Sequence, residues 1–106
     1  MDLTGIWKQV GGSPADAGTY YIRQAADSAG NQNIYWYGHQ ASGDAWANSC
    51  FGTINNGNQI GCNWADLPNG GNSGTGAITL KIVDENTIEY VDGTGSYFGG
   101  RKWVRS

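Results

Sequence analysis

The sequence predicts an all-β fold, an eight-stranded antiparallel up-and-down meander barrel with short loops, formed by a single domain over residues 1–106. Three observations support this fold: apolar and polar residues alternate in short segments, glycine-rich turn signals separate these segments, and no run of ten residues has helical spacing. Short links favour a meander, and closing it into a barrel removes the exposed edges of a flat sheet. A β-sandwich is the alternative, because alternation does not separate the two.

Eight segments show the alternation expected of strands. They are 3–10, 19–25, 33–39, 48–54, 58–64, 77–83, 86–92 and 101–105. The turn signals between them are Gly11-Gly12-Ser13-Pro14, Ala29-Gly30-Asn31, Asn56-Gly57, Asn69-Gly70-Gly71 and Asp84-Glu85-Asn86.

Composition and charge narrow the classes of partner. The net charge is −3, and the six basic residues are scattered apart from three in the last six positions, which belong to the final predicted strand. Nucleic-acid binding is therefore not expected, because it needs clustered Lys and Arg. No apolar run approaches the roughly 18 residues of a membrane span. Met1 stands directly before the first predicted strand without a leader, which indicates a mature domain with an added start codon or a short natural protein.

The two cysteines flank a predicted hairpin, "CFGTINNGNQIGC", residues 50–62. A two-residue turn at Asn56-Gly57 would place the cysteines on opposite faces. A three-residue loop over 55–57 opposes Cys50 directly to Cys62 and separates an apolar face from a polar one. We therefore predict the second register, with the pair close enough for a disulfide; two buried free thiols are the alternative. A disulfide would indicate an extracytoplasmic or secreted protein.

An eight-stranded barrel has the size at which side chains either just fill the interior or leave room for one small ligand. Alternation predicts that either Trp7, Tyr20 and Ile22 or, on the opposite phase, Tyr21 and Arg23 face inward. Further along, the inward candidates are Trp36, Ile54, Ile60, Trp64, Ile78, Leu80, Ile82, Ile88, Tyr90 and Trp103. Several Trp side chains could fill such a barrel. The aromatic residues in loops or on the polar phase are Tyr35, Tyr37, Trp46, Tyr97 and Phe98.

The first predicted strand contains a Gly-x-Trp motif, Gly5-Ile6-Trp7. It resembles the opening of the calycins, the superfamily of lipocalins, fatty-acid-binding proteins and avidins. In lipocalins and avidins this Trp plugs the base of the barrel, often beneath a basic side chain near the C-terminus. The resemblance implies that role for Trp7, with Arg101 or Arg105 as the basic partner.

The middle of the chain resembles a pattern that recurs in short bacterial proteins of unassigned role. The matching segments are "GTYYIRQ", "YWYG", "FGTI", "GNQIGCNWADLP" and "GAITLKI". This resemblance supports the fold and carries no function. The strands and turns are shorter than those of lipocalins, and beyond Gly5 and Trp7 no avidin position is matched, so biotin binding is not carried over.

Catalytic chemistry fits the sequence poorly. His39 is the one histidine, so a metal site would have to rely on carboxylates, and no metal or cofactor is predicted. Ser42, His39 and Asp44 could be drawn as a triad, but they lie within six residues on one turn and nothing indicates an oxyanion hole. No spacing singles out a carboxylate pair among Asp44, Asp66 and Asp92. We expect a protein that is not an enzyme.

Aromatic, amide and glycine residues concentrate in three connections, 40–48, 64–73 and 93–100. Neutral carbohydrate sites use this chemistry, because apolar sugar faces stack on Trp or Tyr while Asn, Asp and backbone groups bond the hydroxyls. In a meander these three connections lie at the same end. The predicted ligand-binding residues are Asp44, Trp46, Asn48, Asp66, Asn69, Asn72 and Tyr97.

The sequence therefore predicts a non-catalytic barrel that binds a small hydrophobic molecule or a sugar at its loop end. The alternative is a structural or protein-interaction module with a filled barrel and no small-molecule site. An enzyme comes third, and it would require Asp44, His39 and Asp66 to converge in a cleft. Convergent polar groups at a cavity would support the first prediction, and a solid core with an exposed apolar patch would support the second. An oligomer is compatible with each of them.

Overall fold

The structure, a computed structural model, describes residues 2–11, 17–41, 43, 45–68, 73–94 and 101–106. It is a closed antiparallel barrel in which strands pair in sequence order and the last returns to the first. The strands are β1 (Gly5–Gln9), β2 (Gly18–Ala26), β3 (Gln32–Gln40), β4 (Ala47–Asn55), β5 (Gln59–Asp66), β6 (Thr75–Asp84), β7 (Thr87–Gly93) and β8 (Lys102–Arg105). The meander barrel is confirmed, and every predicted strand end lies within about two residues of the observed one.

Connections alternate between the two ends of the barrel because successive strands are antiparallel. The β2–β3, β4–β5 and β6–β7 turns lie at the end where β1 begins and β8 ends, which we call the base. The other four connections leave the strands at the opposite end, which we call the mouth. The three connections predicted to carry a site therefore belong to one end, as expected.

Inward-facing side chains form one hydrophobic core. Its fully buried members include Leu3, Trp7, Ile60, Leu80 and Trp103, and Trp46, Ile54 and Tyr90 pack against it partly buried. The phase that carries Tyr20 and Ile22 faces inward, while Tyr21 and Arg23 are exposed. Each strand buries one face, as period-two alternation predicted, and the structure decides the phase of β2, which the sequence left open.

The predicted register of the cysteine hairpin is wrong by two residues, although both cysteines face the core as expected. Cys50 pairs with Trp64 and Cys62 with Gly52, so the two are diagonal rather than directly opposed. The connecting residues are 56–58, with φ of +54° at Asn56 and +79° at Gly57. The observed register also has a steric reason: a Cβ on Gly52 would lie 2.6 Å from Cys62 Sγ, so that sulfur occupies the space a side chain would need.

Cys50 and Cys62 are buried free thiols, and the predicted disulfide is not formed. The two sulfur atoms interact, since a hydrogen bond between the thiols is the main cause that raises the pKa of Cys50, with burial adding to it. Both causes disfavour the thiolate. The pair therefore belongs to the packed core, and the expectation of an extracytoplasmic location loses the disulfide on which it rested.

The Gly-x-Trp motif closes the base. Trp7 Nε1 donates to the Leu3 carbonyl at 2.9 Å, and the Arg105 guanidinium carbon lies 4.8 Å from the centroid of the Trp7 ring. Gly5 has a φ of +153°, and a Cβ there would lie 2.7 Å from Arg105 Nη1. Arg105 is therefore the basic partner that the calycin resemblance implied, while Arg101 lies over Tyr90 instead, 4.3 Å from its ring centroid.

Candidate functional site at the barrel mouth

Four inward-facing residues form one row across neighbouring strands near the mouth. Tyr20 pairs with Gly38, Gly38 with Asn48, and Asn48 with Asp66. Alternation turns all four inward, and the register places them side by side at the upper edge of the core. We call these residues the mouth row.

The ring of Tyr20 lies over the backbone of Gly38. A Cβ on Gly38 would come within 2.4 Å of Tyr20 Cδ1 and 3.0 Å of Asn48 Oδ1, so the missing side chain leaves room for both neighbours. The Tyr20 hydroxyl donates to Gln9 Oε1 at 3.0 Å, which ties the ring to β1. Glycine at position 38 therefore brings an aromatic ring and an amide together.

Trp46 packs on the same ring from the mouth side. Its ring centroid lies 6.0 Å from that of Tyr20 at 35°, and a Cβ on Gly18 would meet Trp46 Cη2 at 2.5 Å. Although Trp46 lies in a loop of small polar residues, the aromatic ring and the glycine backbone of β2 give it an apolar neighbour. The half-buried indole therefore lies over part of the mouth, with one surface on the core and the remainder exposed to solvent.

The side-chain oxygen of Asn48 is a buried hydrogen-bond acceptor at this site. Its side chain is 8% exposed, and its Oδ1 meets no donor within hydrogen-bond distance among the described residues. Buried polar atoms nearly always have a partner, and leaving one without costs about 1–3 kcal/mol. The acceptor therefore calls for a donor from outside the described protein, such as a ligand hydroxyl, an N–H group or a water.

Asp66 is half-buried at the end of β5 and holds the β5–β6 connection. Its Oδ2 accepts from the Gly74 amide at 2.7 Å, and its own amide donates to the Gly74 carbonyl at 2.8 Å. Its pairing with Asn48 places a carboxylate beside the Asn48 amide. The oxygen atoms of Asn48 and Asp66 give the mouth row a negative electrostatic potential, which disfavours the binding of an anionic ligand.

Below the mouth row, aromatic rings occupy the interior. Trp36 and Trp103 meet edge to face with centroids 5.0 Å apart, and Tyr20 lies 5.3 Å from Trp36 and 6.1 Å from Trp103. We call the rings of Trp36 and Trp103, on which the Tyr20 ring of the mouth row packs, the aromatic floor. A ligand at the mouth would therefore rest on this floor rather than enter a central channel.

The remaining predicted ligand-binding residues, Asp44, Asn69, Asn72 and Tyr97, lie outside the described residues, as do Ser42 and Phe98. Of the seven predicted, the structure brings Trp46, Asn48 and Asp66 to the mouth.

His39 and Asp66 lie on opposite sides of the barrel wall. His39 is on the outer face of β3, with its ring 5.9 Å from that of Tyr21, while Asp66 belongs to the inner phase of β5. Among the described residues, no three His, Cys, Asp or Glu side chains gather as metal ligands. No helix long and apolar enough to cross a membrane occurs in the part of the chain that the structure describes.

Three residues that build the site, Tyr20 and Gly38 in the mouth row and Gln9 beside it, are not among the predicted ligand-binding residues. The sequence offers Tyr20 only as one of two possible inward phases of β2, and it assigns no role to Gly38. The available signal was a glycine on the inward phase of an aromatic-rich strand, "YWYG", because such a glycine leaves space for a ring from the neighbouring strand. Which ring fills that space depends on register, which the sequence did not show.

The comparisons with known proteins found no match: no protein-family model, no curated protein and no solved structure matches this chain.

Proposed function

We propose that this protein is a non-catalytic barrel that binds a small neutral ligand, best matched by a sugar, in a shallow site at the mouth. One observation carries the proposal: Asn48 Oδ1 is buried beside aromatic rings without a donor among the described residues. A ligand that donates a hydrogen bond there would satisfy a group that otherwise destabilises the folded state.

The chemistry around Asn48 favours a ligand with one apolar face and hydroxyl donors. Trp46 and Tyr20 offer aromatic surface, and Asn48 and Asp66 offer acceptors. Sugars combine the matching features. A long hydrophobic chain fits less well, because the rings of Trp36 and Trp103 occupy the interior into which it would extend.

A relationship to the calycins, in the lipocalin or avidin branch, is part of the same proposal. It is supported by the meander order of the barrel, by the Gly5-x-Trp7 motif and by the Arg105 guanidinium over Trp7. In that comparison the base is closed and the mouth is the end that takes a ligand.

A second candidate function is a structural or protein-interaction module with a filled barrel. The aromatic floor favours it, and so do the exposed aromatic residues on the outer wall, which include Tyr21, Tyr35, Tyr37 and Phe51. The two candidates use different surfaces, so mouth and wall substitutions separate them.

The experiment is a thermal-shift and calorimetric screen against neutral mono- and oligosaccharides, with biotin and fatty acids as comparison classes. A ligand at 100 times its Kd stabilises by about 2.7 kcal/mol, which is roughly 10–20 °C for a domain of this size. We expect sugars to give the shift.

Two mouth variants and one control variant on the outer surface make the screen decisive. Asn48→Leu and Trp46→Ala should abolish the shift, while Val83→Ser, on the outside of β6, should keep it. Silence across the whole sugar panel, or a shift that survives both mouth variants, would remove the proposal and leave the interaction module.

A further inference from the structure

The buried oxygen of Asn48 lies beneath two aromatic side chains. It sits over Gly38 beside the ring of Tyr20, since a Cβ on Gly38 would lie 3.0 Å from Asn48 Oδ1 and 2.4 Å from Tyr20 Cδ1. Trp46 packs on the same ring from the mouth side, and it stands two residues before Asn48 on the inward phase. A ligand donor that approaches from the mouth therefore reaches this oxygen only when one of the two rings moves.

The ring of Tyr20 is held on several sides. Its hydroxyl donates to Gln9 Oε1 at 3.0 Å, and its centroid lies 5.3 Å from that of Trp36 and 6.1 Å from that of Trp103. The residue is buried, so removing its ring from this position would leave a cavity in the core. Of the two rings that cover Asn48, Tyr20 is therefore the fixed one.

The backbone around Trp46 is also held. The Ala45 amide donates to Gln40 Oε1 at 3.0 Å, and the Gln40 amide donates to the Trp46 carbonyl at 3.1 Å. The Ala47 carbonyl accepts from the Leu67 amide at 2.8 Å. These bonds tie three consecutive residues to β3 and to the end of β5, so the chain that carries the indole is fixed on both sides.

The indole of Trp46 itself is half-buried, with its inner surface on the Tyr20 ring and on Gly18. Side chains occupy alternative staggered rotamers, and a rotation about the Cα–Cβ bond of Trp46 would carry the indole outward without breaking any of these three backbone contacts. The indole is therefore the movable part of the cover over Asn48.

Two contributions oppose each other when the indole turns outward. The aromatic contact with Tyr20 is lost, which disfavours the open rotamer. Asn48 Oδ1, which has no donor among the described residues, becomes accessible to a water that can donate to it, which favours the open rotamer. Because the two contributions partly cancel, the open rotamer is a low-lying minor state.

We propose that the indole of Trp46 is a gate over the mouth site: it closes over Asn48 in this structure and turns outward to admit a ligand, while the backbone of the β3–β4 connection stays in place. The role of the gate in binding rests on the proposed function of the mouth. A ligand binds the open rotamer, so its apparent Kd rises as the open fraction falls. The rotation itself needs no ligand and can be measured without one.

Fluorine NMR of the protein labelled with 5-fluorotryptophan tests the gate. The chain has five Trp residues, and Trp46→Phe identifies the resonance of Trp46. The other four are buried and serve as internal references: Trp7, Trp36, Trp64 and Trp103. In the wild type we expect the Trp46 resonance to be broadened by exchange with an open state populated at about 10% or less.

Gly18→Ala should open the gate. Its Cβ would lie 2.5 Å from Trp46 Cη2 and 2.8 Å from Tyr20 Cε2, and the indole is the ring that can move away. The open rotamer should become the major state, with a new position of the Trp46 resonance. Gly61→Ala is the matched control, because the nearest atom to its Cβ, Asn55 Nδ2, is 3.5 Å away; it should leave the resonance unchanged.

Asn48→Leu tests the opposite direction and introduces no Cβ beside the rings. It removes the acceptor that gains a water in the open state, while the contact between Trp46 and Tyr20 remains. The closed rotamer should therefore gain population, and the exchange broadening of the Trp46 resonance should disappear. This variant keeps the gate testable if Gly18→Ala proves too unstable to fold.

Two results would overturn the gate. One is a wild-type Trp46 resonance as sharp as the four references that a folded Gly18→Ala variant does not move. The other is exchange broadening that Asn48→Leu leaves unchanged. The gate and the sugar site also fail separately: sugar binding with an immobile indole removes the gate alone, whereas an indole that opens in a protein silent towards the sugar panel removes the proposed ligand and keeps the rotation.

Discussion

The guanidinium of Arg105 lies over the indole of Trp7 and at the same time binds three backbone carbonyls at the base. Its nitrogens donate to Thr4 at 2.9 Å, to Asp2 at 2.9 Å and to Glu85 at 2.7 Å. One side chain from the last strand thus joins the segment before β1 to the β6–β7 turn. It caps the core where Trp7 would otherwise face solvent.

Replacing Arg105 should destabilise the barrel strongly. We expect Arg105→Ala to lower the free energy of unfolding by about 2–4 kcal/mol, because it removes charged hydrogen bonds and a cation–π contact. Arg105→Lys should lose about half as much, since an ammonium lacks the planar fork. Urea unfolding measures both.

The control for Arg105 is Lys102→Ala on the same strand. Lys102 makes an exposed ion pair with Glu89 at 4.0 Å, which is worth less than about 1 kcal/mol. Equal losses from Arg105→Ala and Lys102→Ala would contradict the role of Arg105 as the cap.

Gly5→Ala should destabilise by about 1–3 kcal/mol, because the residue has a φ of +153° and its new Cβ would meet Arg105 Nη1 at 2.7 Å. Gly11→Ala is the comparison without a clash, since Gly11 also has a positive φ, of +83°, but nothing lies within 4 Å of its Cβ position. In an Arg105→Ala background, the part of the destabilisation that comes from the clash between the new Cβ and Arg105 should vanish. Additive losses in that double-mutant cycle would show that Gly5 and Arg105 are not coupled.

Gly38→Ala should cost about 1–3 kcal/mol by overpacking, because its Cβ would lie 2.4 Å from a ring atom of Tyr20 that a hydrogen bond to Gln9 holds in place. Gly61→Ala is the matched control on the outer phase, where the nearest atom, Asn55 Nδ2, is 3.5 Å away. We expect the control to stay within about 0.5 kcal/mol of the wild type. A tolerated Gly38→Ala would mean that Tyr20 can leave its place over β3.

Asn48→Leu should retain or raise stability while removing ligand binding. The substitution exchanges a buried acceptor without a described donor for an apolar group, which relieves a cost of about 1–3 kcal/mol. Such a gain corresponds to a higher melting temperature by roughly 4–8 °C per kcal/mol. A large drop in melting temperature would show instead that Asn48 is already hydrogen-bonded in the free protein.

The buried thiols should be unreactive towards Ellman's reagent in the native state and should both react in denaturant. The hydrogen bond with Cys62 and burial raise the pKa of Cys50 in the folded protein above its ordinary value of 9.0. The unfolded chain therefore releases the proton first as the pH rises, so this contribution to stability is present below pH 9 and lost above it. The expected loss is about 1–2 kcal/mol between pH 7 and pH 10.

Cys50→Ala is the comparison for that pH dependence. The variant should be less stable at neutral pH because it leaves a cavity, and its stability should fall less steeply above pH 9. If the stability of Cys50→Ala and that of the wild type fall equally steeply above pH 9, the pH dependence does not come from Cys50. A native protein whose mass is 2 Da lower than that of the reduced chain would contradict the free thiols, since oxidation to a disulfide removes two hydrogens.

The sequence predicted most of the fold because its signals are local. Alternation located all eight strands and assigned Trp7, Trp36, Trp64 and Trp103 to the interior correctly, while it left the inward phase of β2 open between Tyr20 and Tyr21. Turn residues marked five of the seven connections between strands. Strand order alone placed the connections 40–48, 64–73 and 93–100 at the same end of the barrel.

The candidate site was predicted only in part, because its geometry depends on pairs of residues distant in sequence. Trp46 was predicted as a ligand-binding residue, but its packing on Tyr20 depends on the absence of a side chain at Gly18 on β2. The buried oxygen of Asn48 follows from its position beside Gly38. Neither contact produces a periodic pattern of apolar and polar residues that could be recognised in the sequence.

By itself, then, the sequence determined the all-β class, the strand positions, the inward phase of every strand except β2, and the end of the barrel where a ligand-binding site was to be sought. Tertiary structure decided the pairing of Cys62 with Gly52 rather than with Cys50, the choice of Arg105 over Arg101 beneath the barrel, and the aromatic floor below the mouth. The physical reason is that the alternation of apolar and polar residues depends only on which face of a single strand is buried and which is exposed to solvent. Register, by contrast, depends on turn dihedral angles and on which ring, sulfur or guanidinium can occupy the space that a glycine leaves on the facing strand.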